Sequence, residues 1–180
     1  MTEKSNTFAS VILKQEAMKK VFVLQWNPVI SDTSEDYFAK IVEKGTSRFG
    51  WEIHDWKEAE IGDLVYMVKC RPAPDAGIVM QGHITGKPFL GPHWSGKRGL
   101  RTHYACMSPD YLINHDESPI LSLEALEAAM PDFQWDGGHS GRLLPVKESI
   151  ILERMWLEYL ESHKEYFDGM RARSRKKIKQ

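Results

Sequence analysis

The stretch Val21-Phe22-Val23-Leu24-Gln25-Trp26-Asn27-Pro28 constrains the fold more than any other in the chain. Its apolar run is too short for a helix and stops at a proline, so it reads as a buried strand. Similar runs follow at 61–70, 76–90 and 101–113, the last expected to end near Ser108-Pro109. Gly82 and Gly86 lie inside the second of these and mark bulges or places of close backbone approach.

Isolated helices separate the strands. After Ser31 come acidic capping residues, then Tyr37, Phe38, Ile41 and Val42 at helical spacing, with Gly45 as the stop. Residues 122–130 predict a short helix ended by Pro131, and 133–145 read as an irregular, glycine-punctuated segment. A long helix is expected from about Val146 to Phe167, because Leu152, Trp156, Tyr159 or Leu160, and His163 form one stripe that packs on the domain. Short strands broken by single helices imply an α+β fold, a compact barrel or strongly bent sheet, rather than a regular β-α alternation. The expected divisions are an N-terminal arm at 1–20, one domain at 21–168 and a frayed basic tail at 169–180.

Hydrophobic residues make up 42% of the 180, and six are Trp, enough for a sizeable core. The net charge of −1 creates no global attraction to nucleic acid, so any such attraction must come from local patches. Cys70 and Cys106 lie in apolar-patterned stretches and read as two buried thiols in a reduced compartment. No apolar run approaches the roughly 18 residues of a membrane span, and no signal-like segment opens the chain, so a cytoplasmic protein is expected.

The segment Gly91-Pro-His-Trp-Ser-Gly-Lys97 resembles a phosphate loop, but the position that should carry a magnesium-binding hydroxyl is Arg98. A strand-like segment follows where a nucleotide loop needs a helix. What remains is a cationic hairpin of Lys97, Arg98, Arg101 and His103 beside Trp94, either a solvated loop or a contact for a phosphate backbone. The segment Gly137-Gly-His-Ser-Gly-Arg142 lacks the last glycine of a serine-nucleophile elbow. It suits a tight turn whose amides face a ligand, or an ordinary loop. The seven histidines show no metal-ligand spacing, and no paired carboxylates stand out.

Trp26, Trp51 and Trp135 sit at strand ends and in loops among polar residues and glycines. Core packing would explain any one of them. Together they are also what a base-stacking slot requires, with Asn27, Ser140 and backbone amides available for the base edge.

The ordered series VFVLQWNP, Trp51, GDLVYMV, GIVMQGHITGKPF, YACMSPDYLI, Trp135 and HSG resembles the EVE domains of the PUA-like superfamily over residues 21–160. The resemblance implies a small bent β-barrel with flanking helices and a long C-terminal helix. It also implies a non-catalytic, cofactor-free module that recognises a modified base in DNA or RNA inside an aromatic pocket. Carried onto this chain, the pocket would comprise Trp26, Asn27, Trp51, Trp135, His139, Ser140 and Gly141. Gly77, Ile78 and Gly82 match the family's central strand. Lys97, Arg98, Arg101 and Arg142 would hold phosphates, together with the basic tail. A nuclease or helicase partner is expected in trans, and no membrane partner. The alternative is a hydrolase or RNA-cleaving enzyme on the same barrel, using His139 with Lys97 or Arg142.

Overall fold

The computed structural model describes residues 19–44, 48–114 and 120–177. Most of the expected N-terminal arm, and the Gly45 helix stop, lie outside the described residues. The strands are β1 (Val21–Trp26), β2 (Phe49–Glu52), β3 (Leu64–Lys69), β4 (Gly77–Ile84), β5 (Phe89–Pro92), β6 (Arg101–Leu112), β7 (Leu121–Ser122) and β8 (Arg142–Leu143). The helices are α1 (Glu35–Lys44), α2 (Leu123–Ala129), α3 (Val146–Ser162) and α4 (Lys164–Lys177).

The strands form one curled sheet in the order β2-β6-β4-β3-β1-β8, with β5 added to β6 and β7 to β4. Strands β1 and β3 run parallel, and the remaining pairs are antiparallel. The continuous apolar character of β1 follows from its place inside the sheet, covered on both faces. Val21 and Val23 enter a core with Tyr66, Leu152 and Trp156, under α2 and α3. Phe22, Leu24 and Trp26 enter a second core with Phe38 of α1, Met67 and Met107. This curled mixed sheet with flanking helices agrees with the expected α+β fold built on a strongly bent sheet.

The ladder is irregular where β6 pairs with β4. The register shifts between Gln81 and Gly82, and Pro109 sits in the ladder opposite Gly82. A side chain at Gly82 would meet the Ser108 carbonyl oxygen at 2.3 Å, so the backbones touch there. That close approach lets β6 run through Ser108-Pro109 to Leu112, past its expected end. Along its length this strand pairs first with β5, then with β2 and last with β4.

Two further expectations change. The long helix breaks at His163, whose ψ of 24° departs from helical geometry, and α4 continues the backbone to Lys177. The segment expected to be a frayed tail is therefore helical up to that residue. Leu152, Trp156 and Tyr159 are buried as the stripe required. Cys70 is buried, but Cys106 is exposed, because strand alternation turns it outward between buried Ala105 and Met107.

Candidate functional site

A cavity of about 950 Å³ opens between α1, the turn after β1, strand β2, the start of the β5–β6 hairpin and the turn at 136–140. Polar contacts anchor these walls, some local and some over long sequence separations. Helix α1 is tied down at its start by Lys69, a buried lysine whose ammonium lies 3.0 Å from Glu35 and 2.9 Å from Asp75. The turn after β1 is closed by Asn27. Its carbonyl accepts from Ile30 and Ser31, and its side-chain oxygen accepts from the Val29 N–H at 3.0 Å.

Trp51 is the expected pocket tryptophan that does line this cavity. Its indole N–H donates to Ser140 Oγ at 3.0 Å. The same oxygen accepts from the Gln25 backbone N–H at 3.0 Å, and the hydroxyl reaches the Glu52 carbonyl at 3.5 Å. Gly141 completes the clamp by donating to the Val23 carbonyl, while its own carbonyl accepts from Asp55 N–H. It has φ +76°, and a side chain there would lie 2.3 Å from Ile53 Cα, so only glycine fits. The Gln25 side chain holds the neighbouring lip, accepting from Gly138 N–H at 2.9 Å and donating to the Gln134 carbonyl at 3.1 Å.

Asn27, His139 and Ser140 also line the cavity. Trp26 and Trp135 do not. Trp26 is fully buried, stacked on Phe38 at 4.6 Å, with its N–H on the Thr33 carbonyl. Trp135 is 1% exposed, packed edge-on against Phe133, with its N–H on the Met130 carbonyl. Both indoles spend their faces on core contacts and have no face left for a base. Trp26 acts on the cavity only indirectly, by backing Phe38, which lines it. Gly141 lies beneath the wall and acts through backbone geometry.

Other aromatic groups do reach the cavity. Trp94, Tyr104, Phe49 and Tyr37 all line the cavity. Trp94 donates its N–H to Glu52 Oε2 at 3.0 Å, and Thr102 donates to Glu52 Oε1 at 2.7 Å. Tyr104 stands directly opposite Glu52 in the ladder and donates its hydroxyl to the Pro92 carbonyl at 2.7 Å. Trp94 was visible in the sequence as the aromatic of the basic hairpin. Tyr104 and Glu52 could not be placed at the cavity from the sequence, because each lies within a strand whose partner and register the sequence does not disclose.

Strand alternation puts Trp51 and Glu52 on opposite faces of β2. Both nonetheless line the cavity, which therefore passes around β2 at the end of the sheet order. An inner arm holds Trp51, Phe38, Asn27 and Ser140. An outer arm holds Trp94, Tyr104 and Glu52, joined by the Trp94–Glu52 bond and the Glu52–Tyr104 register, and Asp32 also lines the cavity. Burial, then the charges of Glu52 and Asp32, raise the pKa of the Tyr104 hydroxyl.

At the far lip, His139 stacks on His54 with ring centroids 4.4 Å apart. His54 Nδ1 lies 2.8 Å from Asp55, whose second oxygen accepts from Leu143 N–H at 2.7 Å. Burial acts to raise the Asp55 pKa, but the Leu143 N–H, His54 and Arg142 together outweigh it and hold it below the usual value. Arg142 is exposed on β8 beside this cluster. Lys97, Arg98 and Arg101 are exposed on the β5–β6 hairpin, which leaves the cavity wall at Trp94. The structure therefore divides the four expected phosphate-binding residues between two elements.

The Ser140 hydroxyl is held by three protein partners. Burial, reinforced by Asp136, pushes the Cys70 thiol up to about 12, so it stays protonated at neutral pH. Among the described residues, no hydrogen bond or ion pair joins His139 to Lys97 or Arg142, and no cluster of His, Cys, Asp and Glu could hold a metal. No described helix is long and apolar enough to cross a membrane.

No family model matches the chain, and no curated protein matches it. Solved structures do. A hypothetical protein from Leishmania major superposes with TM-score 0.54 at 12% identity, covering 78% of this chain and 96% of that one. A protein from Pseudomonas syringae gives TM-score 0.51 at 12% identity, covering 75% of this chain and 98% of that one. ASCH from Zymomonas mobilis gives a lower value, 0.45 at 14% identity over 75% of this chain and 94% of its own. At such identities the first two likenesses speak for the fold alone: the curled sheet with its flanking helices is an architecture shared with proteins of very different sequence.

Proposed function

We propose that this protein is a nucleic-acid reader that takes one base of DNA or RNA into the cavity beside Trp51 without altering it chemically. In the full form of this reading the base is a modified one. The observation that carries it is the anchoring of Trp51 by Ser140, which holds a partly exposed indole at the wall of a roomy, mixed polar and apolar cavity. A stacking platform needs such a fixed flat face, and a base contributes its own π surface to it. Asn27 adds an amide on the same wall, and Lys97, Arg98 and Arg101 supply cations for the backbone on either side.

Fluorescence anisotropy with labelled single- and double-stranded oligonucleotides, plain and modified, at several salt concentrations tests this. Binding that falls steeply with salt, and loses its preference for modified bases in Trp51→Ala, supports it. Absence of binding to every DNA and RNA, or binding indifferent to salt, removes it.

A further inference from the structure

The outer arm of the cavity has a charge that base stacking alone does not explain. Glu52 is only partly exposed, and both of its carboxylate oxygens accept from neutral donors, the Trp94 indole and the Thr102 hydroxyl. Among the described residues no lysine or arginine pairs with it. Asp32, on the facing turn, likewise has no basic partner among them, and its nearest bond is a long one of 3.5 Å from Ser31. The other lining carboxylate, Asp136, is already neutralised by Arg71 at 3.0 Å. Arg48 also lines the cavity, is exposed, and forms no ion pair with either free carboxylate among the described residues.

Two carboxylates without a basic partner among the described residues thus share the cavity with Trp94 and Tyr104, Glu52 at the N–H edge of the Trp94 indole. Their field reaches the Tyr104 hydroxyl, whose pKa is raised by burial first and then by Glu52 and Asp32. Aromatic faces and carboxylates favour the same occupant, because a cation is attracted by ring quadrupole and by formal charge alike. A neutral base gains the stacking but not the charge, and an anionic phosphate is repelled.

We infer that the outer arm, where Trp94 and Tyr104 share the cavity with Glu52 and Asp32, selects a positively charged, ring-alkylated nucleobase over its neutral isomer. This rests on the nucleic-acid reading proposed above and specifies the class of base. The cationic ring lies against Trp94 or Tyr104, and its charge is balanced by the two carboxylates.

The test uses the full chain and two labelled single-stranded oligonucleotides that differ at one position. One carries 1-methyladenine, a cation at neutral pH, and the other its isomer N6-methyladenine, which is neutral. The cationic oligonucleotide is expected to bind about tenfold more tightly, the size of a partly desolvated cation–π interaction. Asp32→Asn, at an exposed position, is expected to cut that ratio to about threefold or less. Equal or tighter binding of the neutral isomer overturns the inference and leaves the nucleic-acid reading standing. An unchanged ratio in Asp32→Asn also overturns it. Failure to bind either oligonucleotide overturns the inference, while the nucleic-acid reading then rests on the wider panel of oligonucleotides above. A trimethyl-lysine peptide bound in their place transfers the cage to a protein ligand and overturns the inference as well.

Discussion

The indole N–H of Trp51 donates to the hydroxyl of Ser140 at 3.0 Å, joining residues 89 positions apart in the chain. One oxygen thereby connects the cavity wall, strand β1 through Gln25 N–H, and the turn before β8. Replacing Ser140 by Ala leaves two donors without their acceptor, at a cost of about 1–3 kcal/mol in stability. Denaturant unfolding reads that change. Anisotropy on the same variant should show weaker oligonucleotide binding, because Trp51 is no longer held.

Gly141 and Gly137 separate steric need from conformational need. Both have positive φ, +76° and +72°, but a side chain at 141 strikes Ile53, whereas at 137 it meets nothing within 4 Å. Gly137→Ala should cost on the order of 1–3 kcal/mol, from backbone strain alone. Gly141→Ala should cost clearly more, and a thermal melt of each settles the order.

Trp26 and Trp51 should fail in different ways. Trp26→Ala empties a fully buried site and should cost about 3–5 kcal/mol of folding stability. Trp51→Ala should leave most of the stability intact and weaken binding by about 1–3 kcal/mol, because it removes the stacking face. Comparable melting temperatures for the two variants would contradict this division.

The hairpin cations are expected to act on every sequence alike. Changing Lys97, Arg98 and Arg101 together to Ala should lower affinity for plain and modified oligonucleotides by the same factor. The slope of log affinity against log salt should fall by about 0.7–0.9 for each phosphate that the variant no longer neutralises. A change in base preference instead would place these side chains at the base rather than the backbone.

Asp55 makes folding sensitive to acid. Its pKa in the folded chain lies below the ordinary value of 3.8, so folding favours the ionised form. The stability it contributes is present above that ordinary value and is lost as pH falls through the lower, folded value. Asp55→Asn should therefore reduce stability at neutral pH and flatten its decline in acid, measured by urea unfolding from pH 7 down to about 2.

Much of the fold could be read from local chemistry. The doubly buried strand at Val21–Trp26, the capped helix starting at Glu35 and the Leu152-Trp156-Tyr159 stripe each carry their own pattern. The bulge at Gly82 was legible because a glycine within an apolar strand has few other uses. The passage of β6 through Pro109 was not legible, since a proline is tolerated in a ladder only where the partner strand yields, and that partner lies elsewhere in the chain.

The site divided in the same way. By itself the sequence determined that large aromatics, a Ser-Gly turn and a basic hairpin exist at positions able to serve a pocket. Only the tertiary structure decided that Trp26 and Trp135 turn into the core, that Trp51 faces the cavity, and that Glu52, Tyr104 and Trp94 meet across β2, β6 and the hairpin. The physical reason is that an indole is equally suited to a core and to a stacking face. Its use is chosen by which strand lies beside it and on which side of the sheet it falls.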